Sequence, residues 1–456
     1  AEALYTASDA LTLGEDRIAV AYGTTVFDTL DLPLRSSLVS YYTLVPAGND
    51  TIVAGDSLEY VVTARDQYGN AIANSDSIIV NALGSTTAGF SPGTYDFNGS
   101  DTVVFKVSDA VAGAFTVRVE NSGNSAVNGQ GGLITVTNAV ASNLVKVSGD
   151  GSGLIAGTDR LLRARVEDSF GNVVSGDSVR FIVRSGGGNI STFDSIGVAT
   201  DSLGMAEAVL STGVTPGTNT VTALRVSNRA DSVQYTVTTI SGGVSYYTLV
   251  PSGDTTIVAG DSLSYTLSSY DQYDNLVANS DSVTLTAVGA DSAGFSPGPY
   301  EFDGLNTLTF RVSDTTRGSF TVRVRNIDRP TLTVTSGLVR VVPASADHFV
   351  MLSSADSINV GGERLLQYAL EDRYGNRLSD STVVFTRFQG TGLFDNSLAT
   401  ISPVTNDAGV AEALYTASDA LTLGEDRIAV AYGTTVFDTL DLPLRSSLVS
   451  YYTLVP

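Results

Sequence analysis

The chain of 456 residues contains no cysteine, no tryptophan, a single histidine and two lysines, Lys106 and Lys146. The absence of cysteine removes disulfides, thiolate metal sites and thiol nucleophiles together. It says little about compartment, because large domains fold without disulfide staples. With His348 as the one imidazole, there is little material for histidine-based acid–base chemistry. No apolar run approaches the roughly 18 residues needed to cross a bilayer, so no direct membrane insertion is expected. The sequence opens AEALYTASDA, without an initiating Met or a signal-peptide pattern, as a mature or excised segment would. Basic residues are also scarce: 25 Lys and Arg stand against 48 Asp and Glu, a formal net charge of −23. Such a field repels phosphate backbones and anionic lipid, which argues against nucleic acid as a partner. Divalent cations and cationic surfaces remain compatible with it.

A hydrophobic content of 43% is too high for disorder, and the length is too great for one core. Gly, Asp, Ser, Thr and Val are prominent, helix formers are sparse, and β-branched and aromatic residues are plentiful. Short strands joined by turn residues read as all-β sandwiches or barrels.

Internal repetition is the main signal. YYTLVP begins at Tyr41, Tyr246 and Tyr451, a spacing of 205 each time. TIVAGDSL recurs at Thr51 and Thr256, AGFSPG at Ala88 and Ala293, and FTVRV at Phe115 and Phe320. Inside each 205-residue unit lies a looser echo: Arg163–Val183 resembles Val61–Val80 and also Gln367–Thr386. The unit is therefore two domains of about 100 residues, A and B, in the order A-B-A-B. The expected boundaries are 1–40 for the C-terminal half of a B-type domain, 41–140 for A1, 141–242 for B1, 243–343 for A2, 344–445 for B2, and 446–456 for the first strand of a further A-type domain. A third period is exact: Ala1–Pro46 is identical to Ala411–Pro456, at a spacing of 410. The simplest expectation is that the two matching ends are successive passes of one long repetitive polymer.

Period-2 alternation marks the strands. Phe115, Val117 and Val119 share one face against Thr116, Arg118 and Glu120. Val179, Phe181 and Val183 oppose Arg180, Ile182 and Arg184, and Leu162, Ala164 and Val166 alternate with Arg163, Arg165 and Glu167. Each apolar stripe is expected between two sheets, with the charges facing water. Between two such strands lies D-x-x-G-N, at Asp66–Asn70, Asp168–Asn172 and Asp372–Asn376, and at Asp271–Asn275 with Asp274 in place of Gly. An Asp that caps a turn, followed by residues that tolerate positive φ, is hairpin chemistry.

These motifs carry a resemblance. EDSFGNVVSGDSVRFIVRSGGG followed by TDSLGMAEAVLSTGVTPGTNTVTA looks like the bacterial immunoglobulin-like domain of the invasin and intimin type. B1 matches its pattern at Asp168, Gly171, Asn172, Val179, Phe181, Thr200, Asp201, Gly204 and Ala206. B2 matches it at Asp372, Gly375, Asn376, Val383, Phe385, Asp407, Gly409 and Ala411. The A domains keep the D-x-x-G-N turn but carry AGFSPG in place of T-D-x-x-G-x-A, which makes them closer to generic bacterial immunoglobulin-like domains. The resemblance implies tandem sandwiches in an extended, secreted or surface-anchored rod that holds an adhesive tip away from the cell. It does not imply that these domains bind anything.

Chemistry-bearing patterns are weak by comparison. GFSPG, with Ser91 and Ser296, matches the G-x-S-x-G nucleophile elbow. That elbow needs a helix after the serine and a nearby histidine, whereas Pro92 and Pro297 follow here, so a repeated loop is expected. His348 opens the strand HFVMLSS, where B1 reads NLVKVSG, and a structural role is expected. The many acids pair by chance and do not signal glycosidase chemistry. No catalytic residue and no resident cofactor is expected. Calcium is the one ion left open, with Asp271, Asp274 and Asn275 as candidate ligands, because Asp-rich turns supply the oxygens it prefers. Plain turn capping is the stronger expectation. Sequons at Asn49, Asn98 and Asn189 are short patterns with a high chance rate.

The expected function is therefore a structural segment of a long extracellular or cell-surface repeat protein, a stalk or a self-associating filament. Its partners would be other copies or neighbouring repeats, with any host or surface ligand bound by parts outside this window. The alternative is an adhesin module that recognises a receptor or glycan through exposed loops. That reading predicts loops that differ sharply between copies, whereas AGFSPG and D-x-x-G-N are kept.

Overall fold

The computed structural model describes residues 3–7, 15–35, 37–395, 397–419, 424–434 and 436–446. Every regular element among them is a β-strand. The chain divides into two compact units, Ala1–Ile240 and Ser241–Pro456. Each contains an A-type sandwich followed by a B-type sandwich.

In A1, one sheet takes Tyr41–Val45, Ser57–Arg65, Thr102–Ser108 and Gly89–Ser91 in that order. The other takes Asp50–Val53, Asn128–Thr137, Gly113–Asn121 and Ile78–Leu83. Asp50–Val53 runs parallel to Asn128–Thr137, and the remaining pairs are antiparallel. The first stretch of chain thus contributes to both sheets, and the layout is the two-sheet plan of an immunoglobulin domain. A2 repeats it with Tyr246–Val250 and Thr255–Val258 as the shared opening.

The B-type sandwiches add a fifth strand to the second sheet: Ser195–Ala199 beside Ser178–Ser185 in B1, and Thr400–Ile401 beside Val384–Gln389 in B2. The T-D-x-x-G-x-A loop leads from this extra strand back into the first sheet. Thr200 Oγ1 donates to the Val174 carbonyl at 2.8 Å, and Asp201 Oδ1 accepts the Leu203 and Met205 amides at 2.8 and 2.9 Å. In B2 these jobs fall to Thr405 and Asn406: Asn406 Oδ1 accepts the Ala408 and Val410 amides at 3.0 and 3.1 Å. Asn406 therefore stands where the sequence comparison placed Asp407. Asn caps such a turn as well as Asp does.

The alternating stripes form the cores. Leu162, Ala164, Val166, Val179 and Phe181 are fully buried in B1, as are Val117 and Val119 in A1. The A-type cores match ring for ring: Tyr60 stacks on Phe105 at 5.7 Å and Tyr265 on Phe310 at 5.6 Å. Burying each such side chain is worth roughly 1.5–3 kcal/mol, enough in number to hold each sandwich.

The exact repeat supplies an internal comparison. Glu15–Tyr22 pairs with Thr25–Pro33, and its twin Glu425–Tyr432 pairs with Val436–Arg445, both with Ile opposite Leu (Ile18 with Leu30, Ile428 with Leu440). In the twin, Val430 is 0% and Leu440 3% exposed, whereas Val20 is 63% and Leu30 56% exposed. Among the described residues only the twin packs under a second sheet, which is what makes these letters core there. Residues 447–456, where a further A-type strand is expected, lie outside the described residues.

Candidate functional site: the turn that joins one sandwich to the next

The repeated D-x-x-G-N loop closes the hairpin at the start of each sandwich and faces the linker that enters it. In B1 the Asp168 amide donates to the Asn172 carbonyl at 2.9 Å. Gly171 takes a φ of 87°, a conformation open to Gly at little cost. Gly69 and Gly375 do the same, and Asp274 reaches 66° in A2, a position at which Asp and Asn are the tolerated exceptions.

The aspartate at the head of the loop is buried in all four sandwiches: Asp66, Asp168, Asp271 and Asp372 are at most 1% exposed. Its Oδ1 accepts two loop amides, from Phe170 at 2.8 Å and Asn172 at 2.9 Å in B1. Its Oδ2 accepts the Asn172 side-chain amide at 2.9 Å and the linker amide of Ala139 at 2.8 Å. The linker bond recurs as Gly242 to Asp271 at 2.9 Å, Ala344 to Asp372 at 2.8 Å, and Ser37 to Asp66. One carboxylate thus fixes the turn and the incoming chain together. Desolvation, the largest single influence, pushes these carboxyls up. The side-chain and backbone hydrogen bonds together outweigh it, and all four are held below the usual carboxylate range.

In the B-type sandwiches the same loop also grips the sandwich before it. Asn172 Oδ1 accepts the Ala112 amide at 2.8 Å, and Asn172 Nδ2 donates to the Ala110 carbonyl at 2.8 Å. The second unit repeats this: Asn376 Oδ1 accepts the Arg317 amide at 2.6 Å, and Nδ2 donates to the Thr315 carbonyl at 2.8 Å. Each gripped loop is braced from behind by a buried aspartate. Asp109 accepts the Ser85 and Thr87 hydroxyls at 2.6 and 2.9 Å, and Asp314 accepts the Ser292 hydroxyl at 2.7 Å.

An aromatic ring from the turn completes the joint. A Cβ added at Gly55 would meet Phe170 Cζ at 2.5 Å, and one added at Gly260 would meet Tyr374 Cζ at 2.8 Å. The ring therefore lies directly on glycine backbone, and both glycines are in the positive-φ region. TIVAGDSL, a repeat that sequence alone marked without assigning a role, holds this contact point. The side chain of Arg373 lies 4.7 Å from the Tyr374 ring centroid and bonds its hydroxyl, fixing the ring in B2.

The other candidates are placed as follows. Asp271 and Asn275 meet within the A2 turn, where Asp271 Oδ1 and Oδ2 accept the amides of Tyr273, Asn275 and Gly242. Asp274 Oδ1 instead accepts the Tyr246 hydroxyl at 2.6 Å. Among the described residues no group of three or more His, Cys, Asp or Glu side chains is gathered as for a metal ion. Ser91 and Ser296 end the three-residue edge strands Gly89–Ser91 and Gly294–Ser296, each followed by a cis proline and not by a helix. His348 is half-exposed, 3.2 Å from Asp347 and 3.8 Å from Glu371.

No protein-family profile matches the chain. In sequence it is similar to the inverse autotransporter adhesin YeeJ of Escherichia coli strain K12, with 25% identity over 397 residues, or 83% of this chain. The match spans only 16% of that relative's length. The Escherichia coli adhesin FdeC aligns over 68% of this chain and 100% of its own, with 20% identity and a TM-score of 0.43. Invasin, an integrin-binding bacterial protein, aligns over 88% of this chain and 78% of its own, with 14% identity and a TM-score of 0.37. The resemblance carried by D-x-x-G-N and T-D-x-x-G-x-A is thus met in sequence by a relative that is a bacterial adhesin.

Proposed function

We propose that this chain is a spacer segment of a long cell-surface or extracellular adhesin-like protein, in which serially docked immunoglobulin-like sandwiches hold other parts of the protein at a distance. The observation that carries this reading is the joint at Asn172, reproduced at Asn376. A side-chain amide used twice to hold the preceding sandwich, with a ring laid on a bare glycine, restricts bending between the two. Stability in such arrays is a sum of repeat and nearest-neighbour terms, so a joint that repeats stiffens every junction of its kind. The relative in sequence, an inverse autotransporter adhesin, supports the surface location.

Among the described residues no constellation favours catalysis, and self-association with other copies is the partner the reading allows. Any ligand-binding tip belongs to parts other than these domains. Pulling the intact chain by its ends in a force microscope tests the reading. Serial domains of about 100 residues unfold one at a time, each lengthening the chain by about 300 Å. A single cooperative release of the whole chain contradicts it.

A further inference from the structure

We propose that the far end of B2 is a socket for the D-x-x-G-N turn of an A-type domain with the sequence of residues 41–140. The inference rests on the spacer reading above and names the partner of an open joint. In both A-type sandwiches the receiving end has the same parts. A positive-φ glycine donates its amide to the carbonyl just beyond the neighbouring strand, Gly55 to Asp109 at 2.9 Å and Gly260 to Asp314 at 2.8 Å. The turn's ring covers that glycine. The carbonyl one residue further on, Ala110 or Thr315, takes the asparagine amide.

B2 repeats this arrangement on its own end. Gly361 has a φ of 66° and donates to the Ser418 carbonyl at 3.0 Å, and Asp419 stands one residue further on, as Ala110 and Thr315 do. Among the described residues the glycine is bare: a Cβ added at Gly361 would meet none of their atoms within 4 Å. A cleft of about 320 Å³ opens over it, lined by Gly361, Thr391, Gly392, Leu393 and residues 416–419. The matching part exists on A1. Asp66 accepts the Tyr68 and Asn70 amides at 2.9 and 2.8 Å, the same internal bonding as in the turns headed by Asp168 and Asp372, and Tyr68 is 59% exposed. Because residues 411–456 repeat 1–46, appending residues 47–140 after Pro456 continues the sequence as it runs into A1.

The test is hydrogen exchange on the intact chain with and without that appended segment. Peptides covering residues 391–393 and 416–419 are expected to exchange about tenfold more slowly in the extended chain. The protection is expected to be lost when the appended copy carries Tyr68→Ala and Asn70→Ala. Protection of the appended domain's own core reports that it has folded. Should it not fold, residues 47–242 are appended instead, which supply the next B-type sandwich as well. A folded addition that leaves the B2 peptides unprotected overturns the proposal, as does protection that survives both substitutions. Protection that appears in the unextended chain as its concentration rises assigns the socket to a second copy and also overturns it. Exchange at Ala112, compared with and without Asn172→Ala in the same preparation, keeps the two readings apart. If Ala112 responds and B2 does not, the socket fails and the spacer reading stands.

Discussion

Asn172 holds Ala112 across a domain boundary, its Oδ1 accepting the Ala112 amide at 2.8 Å while its own amide group returns to Asp168 at 2.9 Å. Every donor and acceptor of this side chain is thus spent either on shaping its own turn or on gripping the neighbour. Asn172→Ala is expected to weaken the A1–B1 joint by about 1–2 kcal/mol, because it removes the two hydrogen bonds to the half-buried Ala110 carbonyl and the exposed Ala112 amide. Asn172→Asp is expected to cost more, since it sets a second carboxylate against Asp168 and removes the donor to Ala110. Calorimetry and exchange at Ala112 measure both, and equal effects from the two substitutions would count against the geometry.

The glycines under the rings differ in what surrounds them. Gly55→Ala adds a methyl group 2.5 Å from Phe170 Cζ on a backbone at φ 84°, while Gly361→Ala adds one that touches none of the described residues. Both carry the backbone strain of about 1–3 kcal/mol. Only Gly55→Ala also pushes a docked ring away. Melting of the two variants is expected to show a larger loss for Gly55→Ala, together with faster exchange at Ala112 that Gly361→Ala does not produce.

Acid is expected to loosen the joints before it melts the cores. The carboxyls of Asp66, Asp168, Asp271 and Asp372 titrate below the usual range in the folded chain. A depressed folded pKa gives stability that is complete above the unfolded value of about 3.9 and is lost as pH falls through the lower folded value. Stability is therefore expected to hold from neutral pH down to about pH 5 and to fall steeply below pH 4. Asp168→Asn is expected to be less stable at pH 7 and to show a shallower acid decline. An unchanged acid profile would show that Asp168 does not contribute.

Calcium is expected to leave the chain unchanged. The Asp271 carboxylate faces amide N–H groups, which already fill the positions a cation would need, and Asp274 is bonded to Tyr246. Melting in excess chelator and in millimolar calcium should coincide. A rise with calcium that Asp271→Asn abolishes would instead assign ligand roles to Asp271, Asp274 and Asn275.

The second copy of the repeated hairpin offers a core substitution. Val430→Ala removes a fully buried side chain and is expected to cost about 1–2.5 kcal/mol. Denaturation of the variant decides it, and a loss under about 0.5 kcal/mol would mean that Val430 is not part of the B2 core.

Much of the fold was legible because it rests on local rules. Leu162, Ala164 and Val166 alternate with charged neighbours, and the period of two places them on one sheet face whatever the partner strand. The turn at Asp168 was legible for the same reason, since Asp, Gly and Asn each answer a local backbone demand. The joint was not. Asn172 and Ala112 are 60 residues apart, and a hydrogen bond from a side chain to backbone leaves no mark on the residue that supplies the backbone. Gly55 left only a faint signal, a glycine inside a repeated strand-end motif. The shift from Asp407 to Asn406 has a plain cause: either side chain caps the loop, so letter matching favours the Asp one position away from the residue in place. The exact repeat of residues 1–46 foretold equal strand pairing but not equal burial, because burial depends on the opposing sheet.

The central claim is that docked sandwiches make a stiff spacer, and small-angle X-ray scattering of the intact chain tests it most directly. Docking within each A–B pair is expected to give a profile whose cross-section matches one sandwich, with a stiff length on the order of 70–80 Å for each pair. Asn172→Ala with Asn376→Ala is expected to shorten and blur that profile. A native chain that scatters as freely jointed beads, with no change on removing both asparagines, would contradict the account.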